Sequence, residues 1–97
     1  MEIIKWIEAW YESQCDGDWE HQQGIRIETL DNPGWRVEID LTDTDFDNLS
    51  VEYELIEKSE EDWYGVSVKE ARFVGVGDPA KLEVILCTFR QIIEGQR

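Results

Sequence analysis

The residues best equipped for chemistry lie in one short run, Cys15-Asp16-Gly17-Asp18-Trp19-Glu20-His21. A cysteine and a histidine this close would suit a thiol nucleophile with its base, or half of a metal site. Neither reading has enough support. A structural zinc site takes about four ligands with nitrogen or sulfur donors, and the 97-residue chain holds one histidine and two cysteines in all. No cation stands near in sequence to hold a thiolate. A structured turn accounts for the run more simply. Gly17 relieves the backbone, Trp19 enters the core, and Asp, Glu and His side chains tie down loop amides.

A second run, Asp43-Thr44-Asp45-Phe46-Asp47 with Glu54 eleven positions after Asp43, imitates a calcium loop. Asn48 occupies the position that needs glycine, and the flanks read as strands instead of helices, so a solvated acidic loop is expected. Gly75-Val76-Gly77-Asp78 is too short for a phosphate cradle, and its acid disfavours phosphate. No nucleophile–base–orienter set is present. The expectation is a protein that is not an enzyme and uses no cofactor and no metal.

Charge narrows the partners. Twenty-three Asp and Glu against nine Lys and Arg give a formal charge of −14. Such a chain is repelled by nucleic-acid backbones and anionic lipid, and its cations are scattered singly, with no basic patch. No run approaches the roughly 18 apolar residues of a membrane helix. The start, Met1-Glu2-Ile3-Ile4-Lys5, is acidic and amphipathic and does not read as a signal peptide. Cys15 and Cys87, far apart and without a CxxC, could form one disulfide but read better as reduced thiols of a cytoplasmic protein. At 41% apolar and with eleven aromatic residues the chain is no disordered acidic tail. One domain, residues 1–97, is expected.

The elements that must position these residues read as follows. Residues 2–13 form a helix, with Ile3, Ile7 and Trp10 at helical spacing and Ile4, Trp6 and Tyr11 widening the stripe. Gly24–Leu30 and Gly34–Leu41 alternate as strands, joined by Asp31-Asn32-Pro33-Gly34 as a type II turn with glycine at positive φ. Val51, Tyr53 and Leu55 face inward on a third strand, with Glu52 and Glu54 outward. Trp63–Lys69 and Ala71–Val76 are one bent strand or two short ones. Asp78 is a candidate N-cap and Pro79 a first helical residue for a terminal helix carrying Leu82, Ile85, Leu86, Phe89, Ile92 and Ile93. The fold class is α+β: an antiparallel sheet of four to five strands with both helices on one face, in the order α-β-β-β-β(-β)-α.

The excess charge is regional. Between Glu38 and Asp62 stand eleven acids and one cation, Lys58, a local charge of −10. Alternation places Glu38, Asp40, Glu52 and Glu54 on an outward sheet face, continued by the loops Asp43, Asp45, Asp47 and Glu60, Glu61, Asp62. Such a face attracts a basic partner and speeds encounter. Eight Trp and Tyr side chains are too many for one small core. Trp35 reads as core, and of Trp63 and Tyr64 one must point outward. Aromatic anchors with a charged rim are the make-up of protein-binding hot spots.

The run Trp10-Tyr11-Glu12-Ser13-Gln14-Cys15-Asp16-Gly17-Asp18-Trp19-Glu20-His21, then Gly24-Ile25, then Thr29-Leu30-Asp31-Asn32-Pro33-Gly34-Trp35, resembles the Imm53-type immunity proteins of bacterial polymorphic toxin systems. The likeness continues through Asp40-Leu41, Asp62-Trp63, Phe73, Gly75 and Gly77 into the terminal helix. The resemblance implies a small cytoplasmic antidote, encoded beside a toxin and binding its toxic domain. It assigns no contact residue. Joined to the charge, it leads to a basic toxin domain, such as a nuclease, meeting Glu38, Asp40, Asp43, Asp45, Asp47, Glu52, Glu54, Glu60, Glu61, Asp62, Trp63 and Tyr64. The competing class is an acidic interaction or nucleic-acid-mimic module that binds a housekeeping protein. Both monomer and homodimer stay open.

Overall fold

The computed structural model describes residues 2–96. The predicted apolar stripe folds as helix α1 (Glu2–Gln14). Ile3 and Trp10 are buried, Trp6 and Ile7 half-buried, and Ile4 and Tyr11 exposed. The irregular segment that follows is tighter than its sequence suggests and closes in a four-residue helix, α2 (Trp19–Gln22). Gly17 takes φ +99°. The Asp16 carboxylate accepts the backbone N–H groups of Asp18 and Trp19, each at 3.0 Å. The Glu20 carboxylate accepts those of Asp16 and Gly17, each at 2.9 Å. This reciprocal capping places Trp19 in the core.

Five strands follow: β1 (Ile25–Leu30), β2 (Gly34–Asp40), β3 (Val51–Ser59), β4 (Asp62–Lys69) and β5 (Arg72–Gly77). They pair antiparallel in one open sheet, in the order β1-β2-β5-β4-β3. The stretch after Trp63 is thus two strands. They turn at Glu70 and Ala71, both at positive φ, the sign a two-residue primed hairpin turn demands. Helix α3 (Leu82–Glu94) crosses β2, β5 and β4, and α1 packs beside it. The expected α+β architecture, with both helices on one face, is the observed one. Among the described residues no helix is long and apolar enough to cross a membrane.

The core lies between α3 and the middle of the sheet. Val37, Ile39, Val68, Phe73, Ile85, Phe89 and Ile93 are fully buried. Gly75 lets α3 come close: a Cβ there would stand 2.5 Å from Ile85 Cγ2. Trp35, read as core, is half-buried at its margin, and its Nε1–H donates to the Pro79 carbonyl at 2.9 Å.

Two local readings are corrected. Leu30 pairs with Gly34, so the β1–β2 link is Asp31-Asn32-Pro33, and Gly34 has no positive φ. It lies inside β2, where a Cβ would collide with the Gly77 carbonyl oxygen. Close strand approach, not turn geometry, requires glycine here. Asp78 does not cap α3 either. The helix begins later, at Leu82, with Lys81 at its N-cap position.

Candidate protein-docking surface

Strand pairing assigns the side chains to two faces. Val37, Ile39, Val66, Val68 and Phe73 point under α3. Their neighbours Arg36, Glu38, Asp40, Trp63, Gly65, Ser67, Arg72, Val74 and Val76 therefore point to the opposite, open face. No element of the described chain covers that face.

The predicted acids do not share it as one surface. Glu38 and Asp40 stand on β2, and Glu52 and Glu54 on β3, with β5 and β4 between them. At ~4.8 Å per strand this separates the two pairs by roughly 14 Å. Glu38 is enclosed by three arginines. Arg36 donates to it at 2.6 Å, and Arg26 and Arg72 stand at 3.7 and 3.6 Å. The Arg36 hydrogen bond, with the neighbouring guanidinium charges, holds the Glu38 carboxyl below its usual range. Asp40 is paired with Arg72 at 3.5 Å and accepts the Gly24 N–H. The β2 half of the face is therefore charge-neutralised. Asp62 is also paired, with Lys81 at 2.8 Å. Asp43, Asp45 and Asp47 lie in the loop at the other end of the sheet from Glu60 and Glu61. Asp45 lines a cleft of about 650 Å³ there with Trp10, Phe46 and Ile93.

Strand β3 reverses its expected orientation. Val51 pairs with Val68 and points inward as read, but Glu54 pairs with Val66 and Leu55 with Gly65. Three residues of β3 thus span two of β4. That bulge turns every later side chain to the other face. Glu54 and Ile56 end on the helix side, beyond the reach of α3. Tyr53, Leu55 and Glu57 end on the open face. The Tyr53 ring lies across Gly65, where a Cβ would stand 2.5 Å from its hydroxyl oxygen.

This reversal builds a groove on the open face. Tyr53, Leu55 and Trp63 form its apolar floor, and Glu57, Glu60 and Glu61 flank it in a concavity of about 690 Å³. Tyr53 is 56% exposed and Leu55 47%. Among the described residues Glu52, Glu54, Glu57, Glu60 and Glu61 make no ion pair. The structure brings together Glu60, Glu61 and Trp63 from the sequence-derived set, and adds Tyr53, Leu55 and Glu57. Trp63 takes the open face, whereas Tyr64, paired with Gly77, takes the helix side. The apolar alternation of Tyr53 and Leu55 was a visible signal for an exposed anchor, but it reads as an inward face unless the bulge is known.

Asp78 fixes the groove wall. Its carboxylate is almost fully buried and accepts Trp63 N–H at 2.9 Å, Ala80 N–H at 2.8 Å and Lys81 Nζ at 2.7 Å. Its own N–H donates to the Trp63 carbonyl. The Lys81 ammonium, helped by the two backbone donors, holds its pKa at about 2, below the ordinary 3.8. Because the folded value is the lower one, this carboxylate stabilises the fold above about pH 4 and loses that contribution as pH falls toward 2. Asp78→Ala should lower Tm by roughly 10 °C or more at pH 7 and shrink the acid-induced fall between pH 4 and 2. Thermal scans across that range check both.

The Cys15–His21 run is a structured turn held by the Asp16 and Glu20 carboxylates, and among the described residues the His21 side chain, expected to help, makes no hydrogen bond. Cys15 is exposed, its thiol directed to the Tyr11 carbonyl at 3.4 Å, and His21 is exposed. Both cysteines are free thiols. Among the described residues no three His, Cys, Asp or Glu side chains gather as metal ligands. A family model described as immunity protein 53 matches residues 4–94. No curated protein and no solved structure matches the chain.

Proposed function

Since this chain belongs to the immunity protein 53 family, we propose that it is the antidote of a toxin domain, which it binds and neutralises without catalysis in the cytoplasm of the producing cell. The open face over β3 and β4 is the proposed docking surface. The supporting observation is the groove of Tyr53, Leu55 and Trp63, bordered by carboxylates that have no ion partner among the described residues. Aromatic and aliphatic anchors supply the hold, and the carboxylates supply speed of encounter and choice of partner. A basic toxin domain fits this charge, as does a nuclease whose cleft normally grips phosphate. The acids at Asp43, Asp45 and Asp47 add to the long-range field, whereas the arginine-paired Glu38 and Asp40 contribute less of it.

Calorimetry of the purified protein with the toxin domain encoded beside it, at two salt concentrations, tests this reading. Tight binding is expected, weakening as salt screens the acids over a Debye length of ~10 Å at 0.1 M. Absence of binding to a folded toxin domain would overturn the antidote reading and favour a housekeeping partner.

A further inference from the structure

Strand β3 is an edge of the sheet, and nothing in the described chain pairs with its outer side. It runs for nine residues, and those from Glu52 to Ser59 are all exposed. An unpaired edge is a template for another strand, and proteins usually blunt it with proline, lysine, bulges or brevity. β3 has no proline and one lysine, Lys58. Its two bulges lie at its ends, between Val51 and Glu54 and between Glu57 and Ser59. The stretch between them, Glu54–Glu57, stays in regular register with Val66–Trp63. It spans roughly 13 Å of straight, open edge. The opposite edge, β1, is six residues long and carries one Arg and one Glu, with no such charge bias.

We propose that this edge takes an extended, Lys- or Arg-bearing segment of the toxin domain as a sixth strand, a proposal that rests on the antidote reading. Main-chain hydrogen bonds along Glu54–Glu57 would hold the segment, and its alternate side chains would meet the two faces. On the open face they meet Leu55 and Glu57 beside the groove. On the helix side they meet Glu54 and Ile56. Each face thus offers one carboxylate and one apolar group, which a segment alternating cations with apolar residues would match. Charge selects this occupant. A second copy of the chain brings another −14, and a cationic segment meets Glu52, Glu54, Glu57, Glu60 and Glu61, which have no ion partner among the described residues.

The test is amide hydrogen exchange of this protein, free and bound to the toxin domain encoded beside it, together with the association rate of the E54K/E57K double variant. Both substituted positions are exposed, and circular dichroism checks that the variant folds. The alternate amides within Glu54–Glu57 that point away from β4 should exchange at least tenfold more slowly in the complex. The double variant should associate roughly tenfold or more slowly at low ionic strength. Tight binding that leaves the β3 amides unprotected and the variant's rate unchanged would overturn the sixth strand and leave the antidote reading standing. Failure of the unaltered protein to bind would overturn both.

Discussion

Phe89→Ala should lower stability by about 3–5 kcal/mol, the range for removing a large aromatic side chain from a core. Phe89 is fully buried on α3. Its ring meets Trp10 at 5.1 Å, Phe73 at 5.0 Å and Trp6 at 6.0 Å between centroids, all edge-to-face. It is therefore the joint of three elements: α1 through the two tryptophans, the sheet through Phe73, and its own helix. Trp10 in turn packs edge-to-face on Trp19, so α2 hangs from the same cluster. The neighbours are rigid rings fixed on separate elements, and they can close little of the space left behind. A domain of this size has about 5–15 kcal/mol in total, so the loss is a large part of it. Urea unfolding followed by tryptophan fluorescence should show the midpoint falling steeply. Tyr11→Ala, on α1 beside Trp10 but 40% exposed, should move it by about 1 kcal/mol or less. Equal effects of the two substitutions would mean that Phe89 is not the joint.

The legible parts of the fold are those written in local periodicity. Trp35, Val37 and Ile39 alternate with Arg36 and Glu38, and β2 lies where that alternation puts it. The helical spacing of Ile85, Phe89 and Ile93 likewise fixes which side of α3 is buried. What failed depended on contacts between residues distant in sequence. A one-residue bulge inverts Tyr53 and Leu55, and nothing in the VEYELIEKS stretch itself announces it. Gly34 follows proline in a way that reads as a turn, yet its reason is Gly77, forty-three residues later. Asp78 stands before Pro79 like a helix cap, but its carboxylate instead holds Trp63 of β4, Ala80 and Lys81. The acidic region is dense along the sequence but divided in the fold. The strand order sets Glu38 and Glu52 apart and gives Glu38 to three arginines. Charge density along a chain becomes a surface only after cross-strand neutralisation, which requires knowing which strands are adjacent.

Trp63→Ala should weaken toxin binding by more than about 2 kcal/mol, roughly thirtyfold or more in Kd. Trp63 is the one groove side chain that combines large area with a fixed backbone. Asp78, the residue after β5, clamps its N–H and its carbonyl, so the ring is positioned before the partner arrives and loses little freedom on binding. Tyr53 and Leu55 sit on the more exposed edge strand, and the same truncation there should cost less. Reversal of Glu60 and Glu61 should act differently again: it should slow association and reduce its salt dependence while leaving dissociation nearly unchanged, as rim charges do. The contrast separates anchor from steering group. Surface binding kinetics at two salt concentrations read both, and Trp63→Phe, which keeps an aromatic ring, should recover much of the affinity. Near-native affinity for Trp63→Ala with an unchanged Tm would place the toxin's hold elsewhere on the molecule. The cleft beside Asp45, Phe46 and Ile93 would then be the next surface to test.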